Sequence, residues 1–540
     1  MATEKIYPVF LACFCALVFF FGLGSRDFWA PVEPRYAEIV RVMFNSGEWI
    51  VPTVNGGLYT DKPILYFWLA LLASKIFGSV SEWTVRWPAA LGGVGFVLTT
   101  YLIGRDFFSA RVGLWAAVVL ATSVRVVWES RWAHLDALFC FFFALTIYFG
   151  ARVLLRKGNS YEILFSYVFM ALALLTKGLI GVVLPGLLFA AWVLSQRDWR
   201  SIGAAKLPLG IGILLLIAAP WFYLVSRETD GRWLGDFIYI HHVKRYTAGA
   251  GHRQPFYYYF TTLPVDFLPW TFFAIAALAA YRSYRRIWAD PAKRLFILWF
   301  FVVFVFFSLS DTKRDLYLMP LLPTLALLVA NYLVDLESGG EPHSAIYRWL
   351  ATVFFAVVAV AGVALPLVAW LVRDDMVLLL VPSGAVLAVA GFLAVHFVRQ
   401  NRPFAVATTV AGMMALSTFS AALTIFPYLE KFKSHRPFSA EIKKLVPPTA
   451  LLFVYADSMN DFNYYAERPA IPVVSSPRQL DALIDAPAGG FILVKERDLR
   501  DLPRLSRRWI IASEALGSAT WHLIEFKRDG GTAKAREGSG

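Results

Sequence analysis

The sequence predicts a mainly α, polytopic membrane bundle followed by a small C-terminal α/β domain. Three observations carry that expectation. Apolar residues make up 58% of the 540 positions and charged residues only 16%, with a mean hydropathy of +0.58; a soluble chain of this length needs far more charge. Apolar runs long enough to cross a bilayer recur through the first 426 residues. Beyond residue 430 the composition turns to that of an ordinary soluble domain, with short alternating apolar runs.

Taken in order, the run at 6–24 is too long and apolar for a cleaved signal and lacks a small-residue cleavage site, so it reads as a first span. Further runs fall at 87–104, 112–128, 135–154, 162–176, 178–195, 207–225, 263–280, 295–309, 316–334, 347–371, 376–398 and 403–426. Together they predict about 13 transmembrane helices. At Thr176-Lys177-Gly178 the pattern fits either a hairpin between two spans or one kinked helix. Between the first two spans, 27–63 holds Asp27, Glu33, Arg35, Glu38, Arg41, Glu48, Asp61 and Lys62. That much charge belongs at a water interface or around a cavity. Tyr36, Ile39, Val40, Met43 and Phe44 share one helical face, predicting an amphipathic helix over 33–46 that lies along the membrane surface. Asn45-Ser46-Gly47 ends it, and Asn55-Gly56-Gly57 marks a turn. A second interfacial helix is expected over 63–77, too short to span, with Pro63 in its first turn. At the other end, 450–457, 489–496 and 520–528 read as strands and 477–484 as a helix. The expected domains are therefore 1–428 in the membrane, 429–528 as an α/β domain, and 529–540 as a disordered tail.

The net charge of +13 raises nucleic acid as a partner. In a membrane protein, topology signals and anionic lipids explain it better, and no nucleic acid is expected. Cys13, Cys15 and Cys140 all lie in apolar runs and form neither a metal motif nor a disulfide framework. Basic residues cluster in alternate short loops, most strongly Arg282, Arg285, Arg286, Lys293 and Arg294. By the positive-inside rule those loops are cytoplasmic. The loops at 27–63, 128–136, 227–260 and 310–315, together with the C-terminal domain, then face the periplasm.

The outer loops pool Glu33, Arg35, Asp61, Lys62, Glu129, Arg131, His134, Asp136, Lys313, Arg314 and a histidine-rich stretch near 241. Carboxylates with guanidinium and ammonium groups on one side of a bundle suit one chemistry. The cations hold a phosphate while a carboxylate takes a proton from an attacking hydroxyl. Plainer readings stand beside this one: Lys62 and Lys177 as snorkelling side chains, Glu129 with Arg131 as an ion pair, Asp136 as a helix cap.

Trp29, Pro31, Glu33, Arg35, Tyr36 and Glu38, followed by SGEWIVPTVNGGLY and then Asp61-Lys62-Pro63, resemble the first periplasmic loop of the bacterial lipid A aminoarabinose transferases. These belong to the GT-C superfamily with the protein O-mannosyltransferases. The likeness continues through His134, Asp136, Thr176-Lys177-Gly178, His242, Arg245, His252, Pro255, Leu268-Pro269-Trp270, Ser310, Lys313 and Tyr317, over about the first 330 residues. It implies an inverting glycosyltransferase with a polyprenyl-phosphate sugar donor and a lipid A or other envelope acceptor, acting at the periplasmic face of the bacterial inner membrane. Lys62, Arg245, Lys313 and Arg314 would hold the donor phosphate, with His252 and Tyr317 also on the substrates. Asp136 and Arg35 would order the loop. The family reads Pro-Asp-Glu where this chain has Pro31, Val32 and Glu33. Either Glu33 is then the base, or Asp27 or Asp61 takes its place. The sequence requires no cofactor, and the resemblance allows a divalent metal at Asp61 and His242. The competing class is a transporter or flippase for lipid-linked sugars, which predicts inverted repeats and broken mid-membrane helices; no repeat is visible.

Overall fold

The computed structural model describes residues 2–197, 199–244, 253–281, 288–339, 344–457, 460–486, 489–505 and 507–526. The expected tail at 529–540 lies outside them. The described residues fall into two compact units. One comprises Met1–Ser25, Trp49–Pro52 and Tyr59–Phe426, the other Arg26–Glu48, Thr53–Leu58 and Pro427–Gly540.

The first unit is the helical bundle of a multi-pass membrane protein. Among the described residues nine helices are long and apolar enough to cross a membrane, and eleven if each of two bent pairs is one span. Shorter apolar helices at Lys5–Phe20 and Ile180–Gln196 occupy two more of the expected runs, and Leu65–Phe77 is the short helix foreseen after Pro63. The expected straight spans at 112–128 and 263–280 are instead bent pairs. Ala110–Ala121 meets Val124–Ser130 at 66°, and Tyr258–Asp266 meets Thr271–Ala280 at 109°. The two breaks satisfy each other. The Val124 N–H donates to the Leu268 carbonyl at 2.9 Å, and the Trp270 indole N–H donates to the Thr122 hydroxyl at 3.0 Å. Freed backbone groups inside a bundle are tolerated when protein supplies the partner. At 176–178 the hairpin alternative is found. The helix Ile163–Lys177 ends at Gly178, whose φ of +91° and ψ of −157° suit glycine alone, and a new helix starts at Ile180.

The second unit holds the amphipathic helix of the first loop and a five-stranded sheet. The helix runs Glu33–Ser46 with Pro34 in its first turn, and Gly47 closes it in the left-handed region. A short hairpin pairs β1 (Thr53–Val54) with β2 (Gly57–Leu58) around Asn55-Gly56. The sheet is formed by β3 (Leu452–Tyr455), β4 (Val473–Val474), β5 (Gly490–Lys495), β6 (Ile510–Leu516) and β7 (Ala519–Phe526). Its order is β4-β3-β5-β7-β6, parallel at β4-β3-β5 and antiparallel beyond. Both faces are covered. Leu452, Val454 and Leu493 pack with Phe438 and Ile442 on one side, while Phe453, Tyr455, Ile492 and Val494 pack with Leu480 and Ile484 on the other. The central strands are therefore apolar at consecutive positions. First-loop residues are tied to this unit by hydrogen bonds: Phe28 N–H to the Tyr465 hydroxyl at 2.7 Å, and Asn55 Nδ2 to the Ile471 carbonyl at 3.0 Å.

Candidate active site

In the bundle unit a cavity of about 310 Å³ is lined by Asp61, Lys62, Lys177, His241 and Tyr317, with an apolar wall that includes Ile180, Val183, Phe306 and Phe307. Each of these polar residues sits where a helix begins, ends or changes pitch. Asp61 and Lys62 lead into the helix Leu65–Phe77. Lys177 is the last residue of Ile163–Lys177. His241 lies on a widened turn, Tyr239–Lys244, and Tyr317 on the tight turn Asp315–Leu321. Helix ends leave backbone groups and side chains free to converge, whereas mid-helix positions are committed to packing.

Lys62 Nζ lies 2.9 Å from Asp61 Oδ1, and His241 Nδ1 lies 3.1 Å from the same oxygen. Thr60 Oγ1 meets His241 Nε2 at 3.1 Å. The histidine beside Asp61 is thus His241; the side chain of His242 lies outside the described residues, as do Arg245 and His252. Lys177 is ion-paired to Asp136, and its ammonium lies 5.1 Å from the Phe139 ring centre and 5.2 Å from that of Tyr317. Aromatic faces and a carboxylate thus surround the buried ammonium. Lys177 is therefore a cavity cation, not a snorkelling side chain.

Behind Asp136 the charges continue. His134 Nδ1 lies 2.7 Å from Glu129 Oε2. Arg125 binds Glu129 at 3.1 Å, Asp266 at 2.6 Å and Asp315 at 2.5 Å. The Glu129–Arg131 pair read from the sequence does not form: Glu129 goes to Arg125 and His134. Arg131 instead donates to the carbonyls of Val18 and Phe21, both at 2.7 Å, at the end of the first helix. That is a favourable place for a cation because the carbonyl end of a helix is its negative pole.

The other expected residues are placed as follows. Lys313 is buried, with Nζ donating to the Ser310 carbonyl at 2.5 Å and the Gln254 carbonyl at 3.2 Å. The Arg314 carbonyl accepts from the Tyr259 hydroxyl at 3.2 Å. In the second unit Glu33 is fully buried. Arg26 grips both its oxygens, at 2.5 and 3.0 Å, and the Trp29 N–H adds a third bond at 3.1 Å. Arg35 is half-buried in that unit, with a buried Nε that has no hydrogen-bond partner there. Arg26, Arg125, His241 and Asp266 were not singled out from the sequence. The available signal was Arg125 and Asp266 themselves, single charges inside otherwise apolar runs.

The cavity thus has cations at its head, a carboxylate among them and an apolar wall. Residues 61–224 match the family described as dolichyl-phosphate-mannose-protein mannosyltransferase. The chain is 28% identical to the undecaprenyl phosphate-alpha-4-amino-4-deoxy-L-arabinose arabinosyl transferase of Shewanella sediminis, covering 87% of this chain and 86% of that one. It is 30% identical to an uncharacterized protein of Aquifex aeolicus, covering 84% and 86%. Its fold is that of ArnT from Cupriavidus metallidurans bound to undecaprenyl phosphate, with a TM-score of 0.78 over 98% of this chain and 100% of that one, at 22% identity. The family match, the relatives and the shared fold place the chain among membrane glycosyltransferases of GT-C type. The chain belongs to the family of GT-C glycosyltransferases that includes these bacterial proteins and resembles the aminoarabinose transferases.

Proposed function

We propose that the chain transfers a sugar from a polyprenyl-phosphate donor to lipid A or another envelope acceptor, with its active site at the periplasmic face of the bacterial inner membrane. The observation that carries this reading is the cavity, where Lys62 and Lys177 share one space with the apolar side chains of Ile180, Val183, Phe306 and Phe307. A phosphodiester that joins a sugar to a polyprenyl chain has the matching halves. The acceptor oxygen attacks the anomeric carbon, the bond from that carbon to the phosphate oxygen breaks, and polyprenyl phosphate leaves with the electron pair. Lys62 and Lys177 offset the charge that develops on the leaving phosphate. One displacement inverts the anomeric centre.

The acceptor proton goes to a carboxylate within hydrogen-bond reach. Asp61 is the carboxylate on the cavity, and it is the base in this reading. Glu33, with both oxygens held by Arg26 and the Trp29 N–H, serves structure first. A divalent metal does not fit well here. Asp61 and His241 supply two ligands, short of the three or four a zinc site takes, and Lys62 already occupies the Asp61 oxygen that faces the imidazole. No step of this reaction is routed through one.

Purified protein given a polyprenyl-phosphate sugar and extracted envelope lipids should release polyprenyl phosphate and add one sugar mass to an acceptor. Mass spectra of lipid A and other envelope glycans, with and without the gene, identify that acceptor. Relocation of the donor between leaflets with no new product would make the chain a flippase instead and overturn the reading.

A further inference from the structure

The donor cavity is backed by buried charges that its lining does not require. Lys177 leans on Asp136. Beside Asp136 stands His134, and the ligating atoms of Glu129, His134 and Asp136 all lie within 4.8 Å of one another. Glu129 orients the imidazole through Nδ1 at 2.7 Å, and a carboxylate in that position fixes the ring and favours its protonated form. Arg125 anchors Glu129 and reaches Asp266 and Asp315, while Arg314 acts electrostatically on Asp136. The carboxylates of Glu129, Asp136, Asp266 and Asp315 thus face Arg125, Lys177 and Arg314. Among these named groups one negative charge is left over, which favours a proton on His134. A divalent ion held by Glu129, His134 and Asp136 would overshoot that charge while pressed against Arg125 and Lys177.

We propose that His134 is a positioning residue of the donor site, acting on the donor phosphate through Asp136 and Lys177. The inference rests on the donor-cavity reading above. With the imidazole protonated, Asp136 is shared between His134 and Lys177, and the Lys177 ammonium turns more of its charge to the phosphate in the cavity. With the imidazole neutral, Asp136 belongs to Lys177 alone and the phosphate is held less firmly. Among the charged groups near His134 are Glu129, which Arg125 holds on the same helix, and Asp136 on the next. Lys177 and Arg314 lie beyond Asp136.

The test uses the full-length protein in detergent, with undecaprenyl phosphate as the binding probe and donor KM and kcat measured alongside, from pH 6 to 8.5. The phosphate's own second ionisation acts on every variant alike, so the readout is the ratio to wild type. His134→Gln should bind about three- to tenfold more weakly at pH 6 and converge with wild type at pH 8.5, raising donor KM more than it lowers kcat. His134→Lys, which keeps the charge, should bind as wild type does at pH 6. Glu129→Gln should move the wild-type pH profile to lower pH, and it gives a reading even where His134→Gln fails to fold. A ratio independent of pH, or a Glu129→Gln profile that does not move, overturns the proposal. Lys62→Gln is the control for the underlying reading. If it binds the probe as tightly as wild type, the donor site itself is misplaced; if it binds weakly while the His134 ratio stays flat, only the role of His134 falls.

Discussion

Glu33 and Arg26 set the terms at the scale of single residues. The first-loop pattern marks Glu33 as a base because Val32 leaves it the only carboxylate of the expected pair. In the folded unit its side chain is 0% exposed and that of Arg26 is 5% exposed. Removing one partner of a buried ion pair leaves the other charge uncompensated, at about 3–5 kcal/mol. Glu33→Gln should therefore lower the thermal midpoint of the purified protein clearly, and Arg26→Gln in the same chain should restore part of it, as coupled sites do. The check is thermal unfolding of both single variants and the double variant, with turnover read on the fraction that remains folded. A Glu33→Gln protein that keeps its midpoint yet turns over about two to four powers of ten more slowly would return Glu33 to the role of base. Asp61, Lys62 and Tyr317, which line the cavity, stood out in the sequence because charge and aromatic rings beside a span demand a reason. Lys177 was ambiguous because one lysine at a helix end fits both snorkelling and catalysis, and only Asp136 across the bundle decides between them. His241 was missed because two adjacent histidines differ only in the direction a widened turn gives them.

Among the elements, one close helix contact is made by a pair of glycines. A Cβ on Gly104 would lie 2.5 Å from the Gly113 Cα, and one on Gly113 would lie 2.6 Å from the Tyr101 carbonyl oxygen. The helices Glu82–Phe107 and Ala110–Ala121 thus meet backbone to backbone, the use that small residues find in membrane bundles. Gly104→Val forces the pair apart. It should destabilise the detergent-solubilised protein by about 1–3 kcal/mol, seen as a lower thermal midpoint, whereas the same change at Gly186, which has open space around its Cβ, should leave the midpoint where it is. A Gly104→Val protein as stable as wild type would show that this contact carries no weight. The helices themselves were legible from apolar run length. Their breaks were not read from the sequence, although Pro264 and Pro269 stand inside the 263–280 run; 112–128 holds no proline, and the hydrogen bonds at its break come from 268–270, far along the chain. In the sheet, β3, β5 and β7 announced themselves by apolar runs; β4 has two residues, and β6 alternates with Glu514 and Ser513 in its middle, so neither stood out.

For the whole molecule the open quantity is the side of the membrane on which each loop lies. Hydropathy fixes where the chain is apolar, and helix length fixes what could cross, but neither gives direction. Direction comes from loop charge. Arg282, Arg285, Arg286, Lys293 and Arg294 crowd one short loop, and translocating that loop would work against the membrane potential and the positive-inside bias together. In the proposed orientation Asp61, Lys62 and the cavity lie on the opposite side, where a lipid-linked donor can reach them without any nucleotide pool. A reporter active only in the periplasm, fused after Phe526, should be active, and the same reporter placed within 282–294 should be silent. A reporter active only in the cytoplasm should give the reverse pattern. If the fusion after Phe526 reported cytoplasm while the one at 282–294 also did, the number of crossings between them would be even. One of the five helices between them, Pro291–Leu309, Asp315–Glu337, Tyr347–Val372, Asp374–Arg399 and Pro403–Lys433, could then not be a complete span.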